Sequence, residues 1–125
     1  MAVADIDGLK RANDDYGHAT GDALLVAVAE ALSTSCRGSD APYRIGGDEF
    51  AVLLQGAGRA GYEALQLRLD ALILDVSARF AGAGLSVGAA HAPGDGSKSG
   101  VLIHIGDERM YAVKDAHHMA ADDPR

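Results

Sequence analysis

The sequence predicts a single domain of the α/β class (α+β), in which helices flank a β-sheet. Two extended runs, Ala41 to Ile45 and Phe50 to Leu54, enclose a pair of glycines, which is the pattern of a β-hairpin. Apolar residues with helical spacing follow the hairpin, most clearly over residues 60–78. A chain of 125 residues with 48% hydrophobic content can build one core and is too apolar for disorder.

Composition and charge narrow the classes of function. The net charge of −7 argues against broad binding to a nucleic-acid backbone, which needs a basic surface. A nucleotide site remains compatible with this charge if metal ions and a few basic groups offset the local acids. We found no apolar run long enough to span a membrane and no signal-peptide pattern. The single cysteine, Cys36, fits a reducing compartment, so we expect a cytoplasmic location.

The chain begins with a short apolar strand that leads to two acids. Asp5 and Asp7 are two residues apart, so on a continuing strand they share one face. Asp-x-Asp-Gly also opens calcium-binding loops, but the twelfth position here would be Tyr16 instead of the required glutamate. We therefore reject a calcium loop.

Two helices are predicted next. The first covers Leu9 to Tyr16 and ends at Gly17. The second covers Gly21 to Ser35, with Thr20 as its N-cap, and its apolar residues on nearly every side predict deep burial. The segment between them lacks the Gly-Lys-Ser/Thr ending of a P-loop.

The hairpin turn carries two acids after its two glycines. We expect Gly46 and Gly47 to supply positive φ angles for a tight turn. Asp48 and Glu49 are adjacent, so in extended backbone they point to opposite faces. Two carboxylates here are costly to crowd together unless water or a cation shares the charge. The turn is therefore either an ordinary solvated surface turn or part of a cation site.

The rest of the chain predicts an amphipathic scaffold helix, a strand, a turn-rich loop and a last helix. These elements cover residues 60–78, 85–91, 92–97 and 100–116. The apolar stripe of the scaffold helix consists of Leu65, Leu69, Leu72 and Val76. We predict one domain over residues 1–118 and a frayed tail over residues 119–125.

Several motifs together resemble one known family. Gly46 to Phe50 (Gly-Gly-Asp-Glu-Phe) resembles the signature of the GGDEF family, the diguanylate cyclases. Further stretches resemble the family's motifs in order and spacing: Asp5 to Lys10, Asn13 to His18, Gly21-Asp22, Leu85 to Gly88, and Asp107 to Lys114. The resemblance covers nearly the whole chain. Members usually carry a helix and a longer first strand before this point, so the resemblance identifies the sequence as N-terminally truncated.

The resemblance implies a palm-like nucleotidyl-cyclase fold with a central, mostly antiparallel sheet flanked by helices. It implies that two GTP molecules are condensed into cyclic di-GMP and pyrophosphate by two-metal catalysis with Mg²⁺ or Mn²⁺. Each protomer of a homodimer holds one GTP, usually under the control of a sensory or regulatory domain or partner. One alternative is a catalytically weak or inactive receptor that binds GTP or cyclic di-GMP, and another is a plain structural domain.

The resemblance also implies roles for individual residues. The metal ligands are Asp5, the Ile6 carbonyl, Asp48 and Glu49, and of these Asp5, Asp48 and Glu49 are catalytic; Glu49 either ligates metal or relays a proton. The substrate-binding residues are Gly8, Leu9, Asn13, His18, Asp22, Gly46, Gly47 and Lys114. Three of these have structural alternatives: Asn13 as a helix-end residue, Asp22 as a first-turn acid, and His18 as a histidine packed between helices.

The resemblance also implies a second binding site and points to one difference from the family pattern. Arg37 and Asp40 match an inhibitory site for the product, with a solvated loop ion pair as the alternative. His118 stands where the family has an arginine, so we expect triphosphate binding to be weaker by about 1–3 kcal/mol. The adjacent His117-His118 pair is a poor metal site, because neighbouring side chains on a helix diverge.

Overall fold

The computed structural model describes residues 1–56 and 58–121, without the side chains of residues 118, 120 and 121. Its elements in chain order are β1 (Ala2–Asp7), α1 (Leu9–Tyr16), α2 (His18–Ser35), β2 (Asp40–Arg44), β3 (Glu49–Leu54), α3 (Gly58–Arg79), β4 (Gly84–Ala89) and α4 (Ser99–Ala121).

The four strands form one sheet in the order β2-β3-β1-β4, and every neighbouring pair is antiparallel. This confirms the predicted α+β class with an antiparallel central sheet. The first strand lies in the middle, so Asp5 is flanked by Glu49 on β3 and by Ser86 on β4. An acid at this position is therefore surrounded by backbone from three strands.

The alternation of side chains along β1 divides the sheet into two faces. Ala2, Ala4 and Ile6 pack into the main core together with residues of α2 and α3. Val3 lies on the opposite face, where it meets Gly106 of α4. Asp5 and Asp7 share that second face, so the sheet presents its acids towards the last helix.

The first two helices confirm one predicted boundary and correct another. α1 has the predicted bounds, and the Gly17 N–H donates to the Asn13 carbonyl at 2.8 Å where the helix ends. α2 begins at His18 instead of Gly21, so the prediction that Thr20 is its N-cap is wrong. The Thr20 hydroxyl donates to the Tyr16 carbonyl at 3.4 Å from inside the helix. Asp22 consequently does not lie in the first turn of α2.

The burial of α2 is one-sided, contrary to the prediction of deep burial. Leu24, Val28 and Leu32 form its buried face, whereas Val26 is 57% exposed. Apolar residues all around a helix do not determine how many of its sides have neighbours. Here α1 and α3 pack against α2, and its buried face joins the core together with residues of β1. On α3, Leu65, Leu69 and Val76 are buried and Leu72 is half-buried, which confirms the predicted stripe.

The hairpin is present, but the predicted turn geometry is wrong. Neither Gly46 nor Gly47 has a positive φ. The Ile45 and Gly46 N–H groups both donate to the Glu49 carbonyl, at 2.9 and 3.3 Å. The Arg44 guanidinium completes the turn by donating to the Gly46 and Gly47 carbonyls at 3.1 and 2.6 Å. A side chain thus replaces the positive-φ turn that the glycine pair suggested.

The last two elements differ from the prediction mainly at their ends. β4 stops at Ala89, and α4 continues to Ala121, which includes the first residues of the predicted tail. Residues 122–125 of that tail lie outside the described residues. Within the described part of the chain, no helix has the length and apolar character needed to cross a membrane.

Candidate active site

Two acids from distant parts of the chain meet at the end of β1. Asp5 is only 4% exposed. The backbone N–H of Ile6, the residue after it, donates to the Asp48 carbonyl at 3.1 Å. Burial raises the pKa of the Asp5 carboxyl; Lys114 lowers it in part, and the neighbouring Asp48 carboxyl raises it again. The structure therefore brings the first-strand acid and the hairpin acid together.

Lys114 places a cation at this junction. Its Nζ donates to Asp5 Oδ1 at 3.0 Å and to the Ile6 carbonyl at 3.1 Å, and it lies 3.6 Å from Asp7 Oδ1. Carboxylate and carbonyl oxygens are the ligands that Mg²⁺ prefers. The acceptors that now hold an ammonium group are therefore chemically suited to a divalent ion.

Glu49 faces a further acid, Asp107 of α4. Burial raises the pKa of Glu49 to about 7, and Asp107, Asp5 and Asp48 add to the shift through hydrogen bonding and charge. Asp107 Oδ1 is buried without a hydrogen-bond partner among the described residues. A shared proton or a nearby cation would relieve this crowding of carboxyl groups.

These acids do not form a ready-made metal cage. In residues 1–56 and 58–121, no three His, Cys, Asp or Glu side chains are already arranged as ligands around one point. Mg²⁺ commonly takes one or two carboxylates and completes its shell with water and substrate phosphates. The residues present fit such a partly open site.

Asp7 is the centre of a hydrogen-bond cluster that the sequence did not reveal. Its carboxylate accepts from the Ser86 hydroxyl, at 2.8 and 2.9 Å to the two oxygens, and lies 2.8 Å from His117 Nδ1. The Ser86 Oγ is also 3.0 Å from the same His117 nitrogen. The three residues come from β1, β4 and α4, so no local spacing could have predicted the contact.

A cavity of about 850 Å³ is lined by part of the predicted site, although neither Asp5 nor Glu49 is among its lining residues. Its lining includes Asp7, Gly8, Leu9, Asp48, Lys114 and His117. Gly8 has φ +83°, and an added Cβ would come within 2.7 Å of the Gly82 carbonyl, so the close approach at the start of α1 requires glycine. A larger cavity of about 1020 Å³ near Met1 and Tyr62 contains none of the predicted site residues.

The predicted base-reading residues lie at the junction of α1 and α2, outside the lining of this cavity. The Asn13 side chain packs against Gly21, next to Asp22. Asn13 lies within α1, not at its end. His18 and Asp22 are exposed, so the alternative of a packed histidine at position 18 is wrong.

The remaining predicted residues lie at opposite ends of β2. Gly46 and Gly47 are exposed in the hairpin turn. Arg37 and Asp40 lie at the other end of β2, a strand of five residues that spans roughly 13 Å from Asp40 to Arg44. Asp40 accepts from the Arg37 backbone N–H at 2.8 Å, and among the described residues the Arg37 guanidinium forms no ion pair, so the ion-pair alternative is wrong. The side chain of His118 lies outside the described residues.

Residues 1–120 match the profile of the family described as diguanylate cyclase, GGDEF domain. The chain belongs to the GGDEF family. This GGDEF chain is 38% identical over 114 residues to the bifunctional diguanylate cyclase/cyclic di-GMP phosphodiesterase MucR of Pseudomonas aeruginosa, a match that covers 89% of the chain and 17% of MucR. The chain thus corresponds to a small part of that relative.

Solved GGDEF structures share the fold. The GGDEF domain of TpbB (YfiN) from Pseudomonas aeruginosa matches with a TM-score of 0.82 and 34% identity, covering 92% of this chain and 74% of that one. The GGDEF domain of DgcB from Caulobacter crescentus, solved in complex with c-di-GMP, matches with a TM-score of 0.73 and 28% identity, covering 92% and 71%. The predicted family and fold are confirmed.

Proposed function

We propose that this GGDEF domain is a diguanylate cyclase domain that condenses two GTP molecules into cyclic di-GMP and two pyrophosphates. The convergence of Asp5 and Asp48 beside Lys114, at the edge of one cavity, is the observation that carries the proposal. The relatives named as diguanylate cyclases support the reaction class.

Asp5, the Ile6 carbonyl, Asp48 and Glu49 are the groups that would hold divalent cations, Mg²⁺ or Mn²⁺. When bound, two such ions would lower the pKa of the attacking ribose hydroxyl and neutralise charge on the leaving pyrophosphate. The Lys114 ammonium, which now donates to Asp5 and the Ile6 carbonyl, would be the group that donates to a phosphate oxygen. Glu49, with a pKa of about 7, suits either metal ligation or acceptance of the hydroxyl proton at neutral pH.

The start of α1 is the proposed phosphate-binding segment. The backbone at Gly8 and Leu9 lines the cavity at a helix N-terminus, where free N–H groups favour an anion. We place the guanine near Asn13 and Asp22, because a carboxylate can accept from guanine N1–H and N2–H while an amide can meet its acceptor edge. His18 lies at the same helix junction, at the start of α2.

The hairpin turn is a further part of the proposed nucleotide site, in addition to α1 and α2. Gly46 and Gly47 have open space where a Cβ would be, so a ligand could approach their backbone closely. Because each site holds one GTP, the proposed reaction needs two protomers that face each other in a homodimer. We place this domain in the cytoplasm, where a sensory or regulatory partner would control the pairing of protomers.

Arg37 and Asp40 form the proposed inhibitory product site. The Arg37 side chain is exposed and its guanidinium has no ion-pair partner among the described residues, which leaves its planar donors available. An arginine fork matches both a phosphate and the Hoogsteen edge of guanine. Asp40 is held in place by its hydrogen bond with the Arg37 backbone.

A receptor that binds GTP or cyclic di-GMP with little or no turnover is the second candidate. The observation in its favour is that Lys114 already satisfies Asp5 and the Ile6 carbonyl. A divalent ion would have to displace this ammonium group, and the substitution of histidine for arginine at position 118 further weakens triphosphate binding.

Turnover of GTP separates the two candidates. We expect the protein with GTP and Mg²⁺ to form cyclic di-GMP, and Asp48→Ala to lower the rate by more than about 100-fold, because even supporting residues of metal sites typically contribute 10–100-fold. Asp75→Ala, which removes an exposed acid from α3, is the matched control and should keep full activity. Chromatography of the nucleotide products measures the rate.

The same assay tests the requirement for two protomers. The specific rate should rise with protein concentration, since a single site cannot hold both reactants. Full activity of Asp48→Ala would contradict the metal assignment. Nucleotide binding without any cyclic di-GMP would favour the receptor.

A further inference from the structure

The His117 ring is fixed in orientation by Asp7 and Ser86. Its Nδ1 lies 2.8 Å from Asp7 Oδ2 and 3.0 Å from Ser86 Oγ. A carboxylate accepts hydrogen bonds and cannot donate, so Nδ1 carries a hydrogen and donates it. Ser86 is fully buried and donates its own hydroxyl hydrogen to Asp7. Nδ1 is therefore committed to the protein, and Nε2 is the nitrogen left for other partners.

The position of His117 on α4 places it beside Lys114. The two residues are three apart, so they lie on the same side of the helix. Both approach the Asp7 carboxylate, Lys114 at 3.6 Å and His117 at 2.8 Å. Both also line the cavity that contains Gly8 and Leu9, and the His117 side chain is 49% exposed.

We propose that His117 is a phosphate-contacting residue of the nucleotide site, with Asp7 and Ser86 as its positioning residues. An imidazolium has a hydrogen at each nitrogen, so it can donate from Nδ1 to Asp7 and from Nε2 to a phosphate oxygen at the same time. Together with Lys114, it gives the phosphate chain two basic contacts from one helix face. This inference rests on the proposed binding of GTP.

The proposed contact between His117 and a phosphate also changes what is expected from the histidine at position 118. The sequence predicts weaker triphosphate binding because a histidine replaces an arginine there. A histidine one residue earlier, held by a carboxylate in the same cavity, would recover part of that interaction. His117 would thus have a binding role that the motif spacing did not suggest.

Binding of a non-reacting GTP analogue tests the proposal without relying on turnover. We would titrate the protein with α,β-methylene-GTP and Mg²⁺ by calorimetry, and measure guanosine by competition against a fluorescent guanine nucleotide. His117→Ala should weaken the analogue about tenfold, the loss expected for a hydrogen bond to a charged group, and leave guanosine within about twofold. His117→Arg, which places a guanidinium donor at the same position, should stay within about threefold of the unaltered protein.

His104→Ala is the matched control, because His104 lies on the same helix but pairs with Glu108 on its exposed side. His104→Ala should change neither the affinity for α,β-methylene-GTP nor the affinity for guanosine. Equal losses for the analogue and guanosine, or no loss for the analogue, would overturn the proposal. So would weaker binding of Mn²⁺ alone by His117→Ala, since that result makes His117 a metal ligand. Failure of the unaltered protein to bind the analogue would overturn the proposed function itself, and this inference with it.

Discussion

The charge balance around Asp5 determines what the site can accept. Asp5, Asp7 and Asp48 lie near the Lys114 ammonium group, and Glu49 lies near Asp5 and Asp48. Burial lowers the pKa of Lys114, but its hydrogen bond to Asp5 and the surrounding carboxylates raise it more, so the net shift is upward and the lysine stays charged. A triphosphate would add further negative charge to this group. Divalent cations would offset this charge, which is the physical basis for proposing a metal-dependent enzyme.

A second residue-scale feature, the ion pair between Asp95 and Arg109, predicts a dependence of stability on pH. Arg109 donates to both Asp95 oxygens at 2.8 and 3.0 Å, and the hydrogen bonds from Arg109 and from the His91 N–H lower the pKa of Asp95 to about 2. The folded pKa lies below the ordinary value of 3.8, so the stabilising contribution is complete above that value. It is lost as the pH falls towards 2.

Urea unfolding of the unaltered protein and of Asp95→Asn checks this prediction. The unaltered protein should be more stable at pH 6, and the difference should shrink between about pH 4 and pH 2. Asp75→Asn, which removes one exposed carboxylate from α3, controls for the change in net charge. A difference that stays constant over this range would contradict the assigned role of Asp95.

Individual site residues were predictable to different degrees. Asp5 and Asp48 were predicted through the family resemblance, and the structure brings the two residues together. The role of His117 could not be predicted, because it depends on contact with Asp7 from a distant strand. The role of Arg44 could not be predicted either, because its hydrogen bonds to the nearby turn carbonyls depend on the conformation of the hairpin. The role of Asp107 could not be predicted either, because it depends on the packing of α4 next to Glu49.

At the scale of elements, the contact between α4 and β4 depends on a glycine. An added Cβ at Gly88 would overlap the Met110 N and the Gly106 carbonyl and lie 2.7 Å from the Arg109 carbonyl carbon. We expect Gly88→Ala to destabilise the domain by about 1–3 kcal/mol, the usual cost of overpacking a core. Because α4 carries Lys114 and His117, its displacement should weaken nucleotide binding as well.

Gly100→Ala is the control for that substitution, since a Cβ at Gly100 in α4 meets nothing within 4 Å. It should be neutral or slightly stabilising, because alanine favours the helix more than glycine does. Free energies of unfolding from urea titrations compare the two variants. Equal stability of both would show that the helix can move away from β4 at little cost.

Element boundaries were predictable where one residue determines them locally. Gly17 ends α1 as predicted because a glycine accommodates its φ of +92°. The predicted start of α2 was wrong. Thr20 has a side chain suited to an N-cap, but the helix begins earlier, directly after Gly17. The turn type of the hairpin was wrong because Arg44 supplies hydrogen bonds that a preference for paired glycines does not take into account.

For the whole molecule, the central position of β1 is the main determinant of the site. Because β3 and β4 flank it and α4 crosses it, Asp5 lies where the hairpin, the last helix and the start of α1 meet. Strand order is a long-range property, so the separate strand patterns did not determine it, and the antiparallel arrangement was predicted through the family resemblance. The cavity near Asp48 follows from this arrangement.

The claim that Asp5 and Asp48 jointly hold a divalent cation over the nucleotide is tested most directly by paramagnetic broadening. Mn²⁺ would be added to the protein bound to α,β-methylene-GTP, and the backbone amide NMR signals recorded. We predict that the signals of Asp5, Ile6 and Asp48 disappear first, while that of the exposed Leu67 on α3 persists. Persistent signals at Asp5 and Asp48, with broadening confined to other acids, would contradict the account.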